Sequence, residues 1–167
     1  SPNDIPEGEK EFYKELIEIK ELTKNEKCVA IGEIGLDYYW NKENKEYQKR
    51  AFIEQINLAN EVDLPIVIHS RDAISEALKL GFYISFAGPV TFKNSKNAQE
   101  IIKMVPNERF FIETDSPYLS PEPNRGKRND SRNLKYIVEK IAKEKDIDIE
   151  KVAEISYKNA VEFFRIK

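Results

Sequence analysis

Three residues in this chain carry side chains suited to holding a divalent cation and moving a proton: Glu33, His69 and Asp115. Each lies near the C-terminal end of an apolar, strand-like run, from Val29 to Asp37, from Pro65 to Ser70 and from Phe110 to Ser116. Runs that stay apolar on both faces belong to parallel strands covered by helices, and barrels of such strands place their chemistry at the strands' C-terminal ends. Three strands therefore offer two carboxylates and an imidazole to a common mouth, the ligand mixture of a divalent-metal hydrolase. The same residue types also have plainer uses. A buried glutamate pairs with Arg or Lys, a lone strand histidine serves as a satisfied polar residue, and Asp-Ser-Pro makes an ordinary strand-exit turn. His69 is the only histidine, so no serine or cysteine has the partners of a nucleophile triad.

A net charge of −3 gives no global attraction to nucleic acid, so a phosphate-bearing substrate must be held by a local basic cluster or by metal. Arg125, Lys127 and Arg128 form such a cluster, and Arg71, Lys93 and Lys96 lie on other loops at strand exits. Exposed charge runs are commonly just solvated. Tyr38, Tyr39 and Trp40 follow a strand end directly and could stack on a base or pack over a barrel rim.

The elements that position these residues are readable from periodicity. Strand-like runs near 28–37, 65–70, 82–88 and 109–115 alternate with helical patterns over 9–24, 44–62, 97–105, 131–145 and 149–164, which argues for parallel α/β units. The first helix shows Phe12, Leu16, Ile19 and Leu22 on one stripe, and Asp148 suits the N-cap of the last. Strict alternation in the first strand puts Val29, Ile31 and Glu33 on one face, while Gly32 and Gly35 permit close approach of a neighbouring backbone or ligand. Alternation likewise pairs Glu113 with Asp115. Residues 116–129 read as a long functional loop.

With 167 residues, 40% of them apolar, the chain suits one globular domain over 1–167. A single cysteine, Cys28, precludes an internal disulfide, and no run approaches a bilayer span or a signal-peptide pattern, so a cytoplasmic protein with no membrane partner is expected. One connection is too short. A parallel return from the His69 strand must cover about 20 Å, and the eleven residues from Arg71 to Gly81, all helical, would cover roughly 16 Å with none left for turns. Either the two strands are not a simple crossover pair, or a segment near 73–75 is missing. The second is the favoured expectation.

Five blocks in order, Ile31 to Tyr38, Ile68 to Ala73, Gly81 to Gly88, Glu113 to Leu119 and Arg125 to Asn129, closely resemble the TatD family of metal-dependent deoxyribonucleases. The resemblance implies a TIM-type (β/α)8 barrel hydrolysing DNA phosphodiesters with divalent metal ions, Mg, Mn or Zn. It implies Glu33, His69 and Asp115 as metal ligands, Glu33 and Asp115 as catalytic, and Arg71, Arg125, Lys127 and Arg128 as contacts to substrate. The departures are equally specific. The family's His-x-His strand, two further strands and a His-Cys-Phe-Ser-Gly strand are not found, leaving about four recognisable strands of the eight that such a barrel uses. Two alternatives stand beside the nuclease: another amidohydrolase-like metal hydrolase, and a truncated barrel acting as a non-catalytic binding module.

Overall fold

The computed structural model describes residues 4–6, 8–37, 44–69, 74–95 and 97–166, which fall into two compact units. The first runs to residue 72 and takes in Phe164–Ile166, and the second runs from residue 73 to Phe163.

In the first unit, helix α1 (Glu9–Leu22) is followed by strand β1 (Ile31–Gly35), helix α2 (Lys45–Glu61) and strand β2 (Ile66–His69). β1 and β2 pair in parallel, with Ile31 opposite Ile66, Ile34 opposite Ile68 and Gly35 opposite His69. Three steps along β1 thus match two along β2, an irregularity of the bulge kind that re-aims side chains. Strict alternation fails here for that reason: Ile31 and Ile34 are buried while Glu33 faces outward. The core is Ile31, Ile34 and Ala59, flanked by Ile19, Phe52, Ile56, Leu64, Ile66 and Ile68. Phe12 is buried as its stripe requires, but Leu22 is 69% exposed, because α1 ends there. Ion pairs Arg50–Glu9 and Lys20–Glu61 join α1 to α2.

The second unit opens with a helix that periodicity did not reveal, α3 (Ile74–Lys79), too short to show a repeat. Strand β3 (Ile84–Phe86), α4 (Ala98–Met104), strand β4 (Phe110–Ile112), α5 (Leu134–Lys145) and α6 (Ile149–Phe163) follow. β3 and β4 pair in parallel, Ile84 opposite Phe110 and Phe86 opposite Ile112, forming a second two-stranded sheet. β2 and β3 are therefore not ladder neighbours among the described residues. The expected missing segment near 73–75 adjoins 70–73, which lie outside the described residues. Phe86, Ile102, Val105, Phe110, Ile137, Ile141 and Val152 make the core. The Asp148 carbonyl accepts from Val152 N–H at 3.1 Å, opening α6 as an N-cap residue does.

Gly35 is the tightest point of the first sheet. Its φ is +137°, and a Cβ there would lie 2.6 Å from the His69 carbonyl oxygen. Gly35→Ala is expected to destabilise the protein by at least about 1–3 kcal/mol in urea unfolding, from backbone strain with a backbone clash added.

A pH-dependent element sits before α5. The Asp130 carboxylate accepts from Arg132 backbone N–H at 2.9 Å and from its guanidinium at 2.7 and 2.9 Å, and these bonds hold the acid's pKa down to about 2. A depressed carboxylate contributes stability above its unfolded value near 3.8 and loses it as pH falls through about 2. Asp130→Asn should flatten the dependence of Tm on pH over that window, as thermal melts would show.

Candidate metal and phosphate sites

Parallel pairing brings the end of β2 beside the end of β1, and with it His69 beside Glu33. His69 Nδ1 lies 3.1 Å from Glu33 Oε1. Its other nitrogen, Nε2, lies 3.3 Å from Asp37 Oδ2, yet it is buried and has no hydrogen-bond partner among the described residues. The distance suits an ion pair, but the angles do not make a hydrogen bond. One imidazole and two carboxylates are donor types that a divalent cation takes. Among the described residues, no group of three or more His, Cys, Asp or Glu is gathered as a metal cluster.

Asp37 was not among the candidates read from sequence, and its position is decided by α2. Its side chain is fully buried. Gln48, buried on α2, accepts from Asp37 N–H at 2.9 Å and donates to Asp37 C=O at 3.2 Å, standing in for a strand partner. A second donor bond, to Asn44 Oδ1 at 2.8 Å, completes the amide. The available signal was Gln48 itself, a carboxamide three residues before Ala51 and four before Phe52 on the stripe that faces the core.

Asp115 belongs to the second unit and lies beyond β4, which ends at Ile112. Strand alternation therefore does not set its direction. Its φ is +56°, and its carbonyl accepts from Tyr118 N–H at 2.9 Å, so Asp115 opens the strand-exit turn that Asp-Ser-Pro foreshadowed. The turn leads into a groove of about 440 Å³ lined by Phe92, Pro117–Ser120 and Arg125–Arg128. Arg125 lies 4.2 Å over the Phe92 ring and donates to Asn94 Oδ1 at 3.2 Å, which fixes one of three cations there. Tyr118, in the groove wall, is 71% exposed. Arg71, Lys96 and the Tyr38–Trp40 run lie outside the described residues, while Lys93 is exposed near the groove residue Phe92.

The TatD related DNase family model matches residues 1–80 and 72–165. The chain belongs to the TatD related DNase family. It is 45% identical to an uncharacterized metal-dependent hydrolase of Bacillus subtilis, YabD, across 92% of this chain and 71% of that protein. It is 34% identical to the uncharacterized metal-dependent hydrolase YcfH of Escherichia coli, across 89% of this chain and 67% of the relative. Among solved structures, YJJV, a TatD homolog from Escherichia coli, superimposes with a TM-score of 0.88 at 21% identity, over 99% of this chain and 74% of the other. A TatD family hydrolase from Entamoeba histolytica does so with 0.80 at 21% identity, over 97% and 70%. The fold is thus of the TIM-barrel type, held here as an incomplete barrel with four strands among the described residues. The YabD alignment extends over 182 positions, of which this TatD-family chain fills about 154, so about 28 have no counterpart here. No helix among the described residues is long and apolar enough to cross a membrane.

Replacing Gln48 by Leu removes the partner of both backbone groups of Asp37 in a buried setting. The expected cost is about 1–3 kcal/mol in urea unfolding, accompanied by a shift of the His69 ring resonances in NMR. Unchanged resonances would separate Gln48 from the site.

Proposed function

We propose that this chain is a metal-dependent hydrolase acting on DNA phosphodiesters, with Glu33, His69 and Asp115 as metal ligands and Asp115 also as the base that takes a proton from attacking water. The observation that carries this reading is the Glu33–His69 pair at adjoining strand ends, with the buried His69 Nε2 lacking a hydrogen bond among the described residues. A divalent cation, Mg, Mn or Zn, held there supplies charge neutralisation for a phosphodiester and acidifies water. In this reading Nδ1 carries the proton toward Glu33 Oε1, 3.1 Å away, and Nε2 would offer its lone pair to the cation.

The groove beside the Asp115 turn supports phosphate as the substrate's charged group. Arg125, Lys127 and Arg128 offer guanidinium forks and an ammonium, and Tyr118 offers an exposed ring to a base. Arg71, on the resemblance, contributes a further phosphate contact. We also infer that the positions lacking a counterpart fall between residues 72 and 80, where the two matches of the family model overlap. That shortfall favours a second reading, a binding module that retains the groove without turnover.

Release of nucleotides from labelled DNA with Mg²⁺ or Mn²⁺, with a chelator control, tests the proposal. Asp115→Asn and Glu33→Gln should each lower the rate by at least roughly a hundredfold with little change in folding. Lys127→Gln should raise KM for DNA and leave kcat nearly unchanged. Hydrolysis that persists through both the chelator and Asp115→Asn would overturn the metal-nuclease reading. DNA binding without hydrolysis would establish the binding module.

A further inference from the structure

We propose that Asn129 is the positioning residue for Asp115, acting through a carboxamide that grips the backbone on both sides of it. The proposal rests on the reading of Asp115 as ligand and base. Asn129 is 2% exposed. Its Nδ2 donates to the Thr114 carbonyl at 2.6 Å and to the Tyr118 carbonyl at 2.8 Å. Thr114 precedes Asp115, and Tyr118 closes the turn that Asp115 opens, so one amide spans the whole turn. The Asn129 backbone N–H adds a bond to the Pro117 carbonyl at 3.0 Å.

The other half of the amide is anchored to the helix side. Oδ1 accepts from Asp130 N–H and from Asn133 Nδ2, both at 2.9 Å. Asn133 in turn donates to Ser120 Oγ at 3.2 Å and accepts from Asn124 Nδ2 at 2.9 Å. Two backbone carbonyls on one side and a backbone N–H on the other settle which atom is oxygen and which is nitrogen. All four hydrogen-bonding positions of the side chain are filled.

Those bonds oppose a local preference. Asp115 holds φ +56°, a left-handed conformation that a non-glycine residue rarely keeps unless the surroundings over-determine it. The far wall of the loop is equally fixed. A Cβ on Gly88 would lie 1.9 Å from the Leu119 carbonyl oxygen, and Thr91 Oγ1 accepts from Glu122 N–H at 2.9 Å. Only asparagine meets the Asn129 position. Aspartate lacks both donors and would set a carboxylate against two carbonyls, glutamine is a methylene too long, and serine spans one carbonyl at most.

The test uses the intact chain, with Mn²⁺ binding followed by electron paramagnetic resonance beside DNA hydrolysis. Asn129→Asp should weaken Mn²⁺ binding about 10–100-fold and lower kcat over a similar range, the effect typical of losing a group that orients a metal ligand. KM for DNA should move far less. Asn124→Ala perturbs the same network away from the turn, so a purely structural network predicts equal Mn²⁺ loss in both variants, and equal loss overturns the proposal. Should Asn129→Asp not fold, Asn133→Ala decides: it removes one anchor of the Asn129 amide and should weaken Mn²⁺ binding in the same direction by a smaller factor, whereas unchanged binding overturns the proposal. Asp115→Asn separates the two levels. If it binds Mn²⁺ as the parent does, the ligand reading fails and the positioning role falls with it. If it weakens binding and Asn129→Asp does not, only the positioning inference fails.

Discussion

A backbone that leaves a strand end to carry a functional side chain gives up its ladder partners, and every buried N–H and C=O it exposes must be paired again. Both units of this protein meet that requirement with a buried carboxamide. Gln48 pairs the N–H and C=O of Asp37 just after β1, and Asn129 pairs the carbonyls of Thr114 and Tyr118 after β4. Asn159 on α6 does the same at the start of β4, donating to the carbonyls of Asn107 and Phe110 at 2.8 and 2.9 Å. An amide is suited to this because it carries donors and acceptors on one rigid plane. The cost of leaving such groups unmade, about 1–3 kcal/mol each, is what holds these loops to one conformation.

The chemistry of the first unit then follows from geometry at two strand ends. Gly35 lets β1 approach β2 until its Cα is backed against the His69 carbonyl, and the ladder irregularity turns Glu33 away from the face occupied by Ile31 and Ile34. His69 consequently meets Glu33 on one ring nitrogen and Asp37 on the other. The two carboxylates differ in kind. Asp37 is fully buried and held by Gln48, whereas Glu33 is about half exposed and has room to serve a bound group. In the second unit the division is between a hydrogen-bonded backbone and exposed side chains: Asp115, Tyr118 and the Arg125–Arg128 segment are exposed on a loop tied by bonds within it and to Thr91 and Asn133.

Much of this was legible in the residues themselves. Four apolar runs became four strands at the expected places, paired in parallel as β1 with β2 and β3 with β4, and the helical stripes of Phe52 and Ile56, of Ile137 and Ile141, and of Val152 and Ile155 face the two cores. Those elements are legible because burial imposes a period on a long segment. Helix α3 is short enough to hide from periodicity. The alternation read for Glu33 failed for a local reason, a ladder irregularity, while β4 ends at Ile112, before the alternation read for Glu113 and Asp115 applies.

By itself, then, the sequence determined the four strands and the longer helices, the parallel α/β class, and the residue types able to bind metal or phosphate, since hydrophobic period and side-chain chemistry are properties of the chain. Tertiary structure alone decided that Asp37 joins His69, that Gln48 and Asn129 are the amides that hold the site's backbone, and that Arg125 lies on Phe92. Each of these is a contact between residues 11 to 33 positions apart, and no local pattern encodes a hydrogen bond whose partner is brought into reach only by the packing of one element against another.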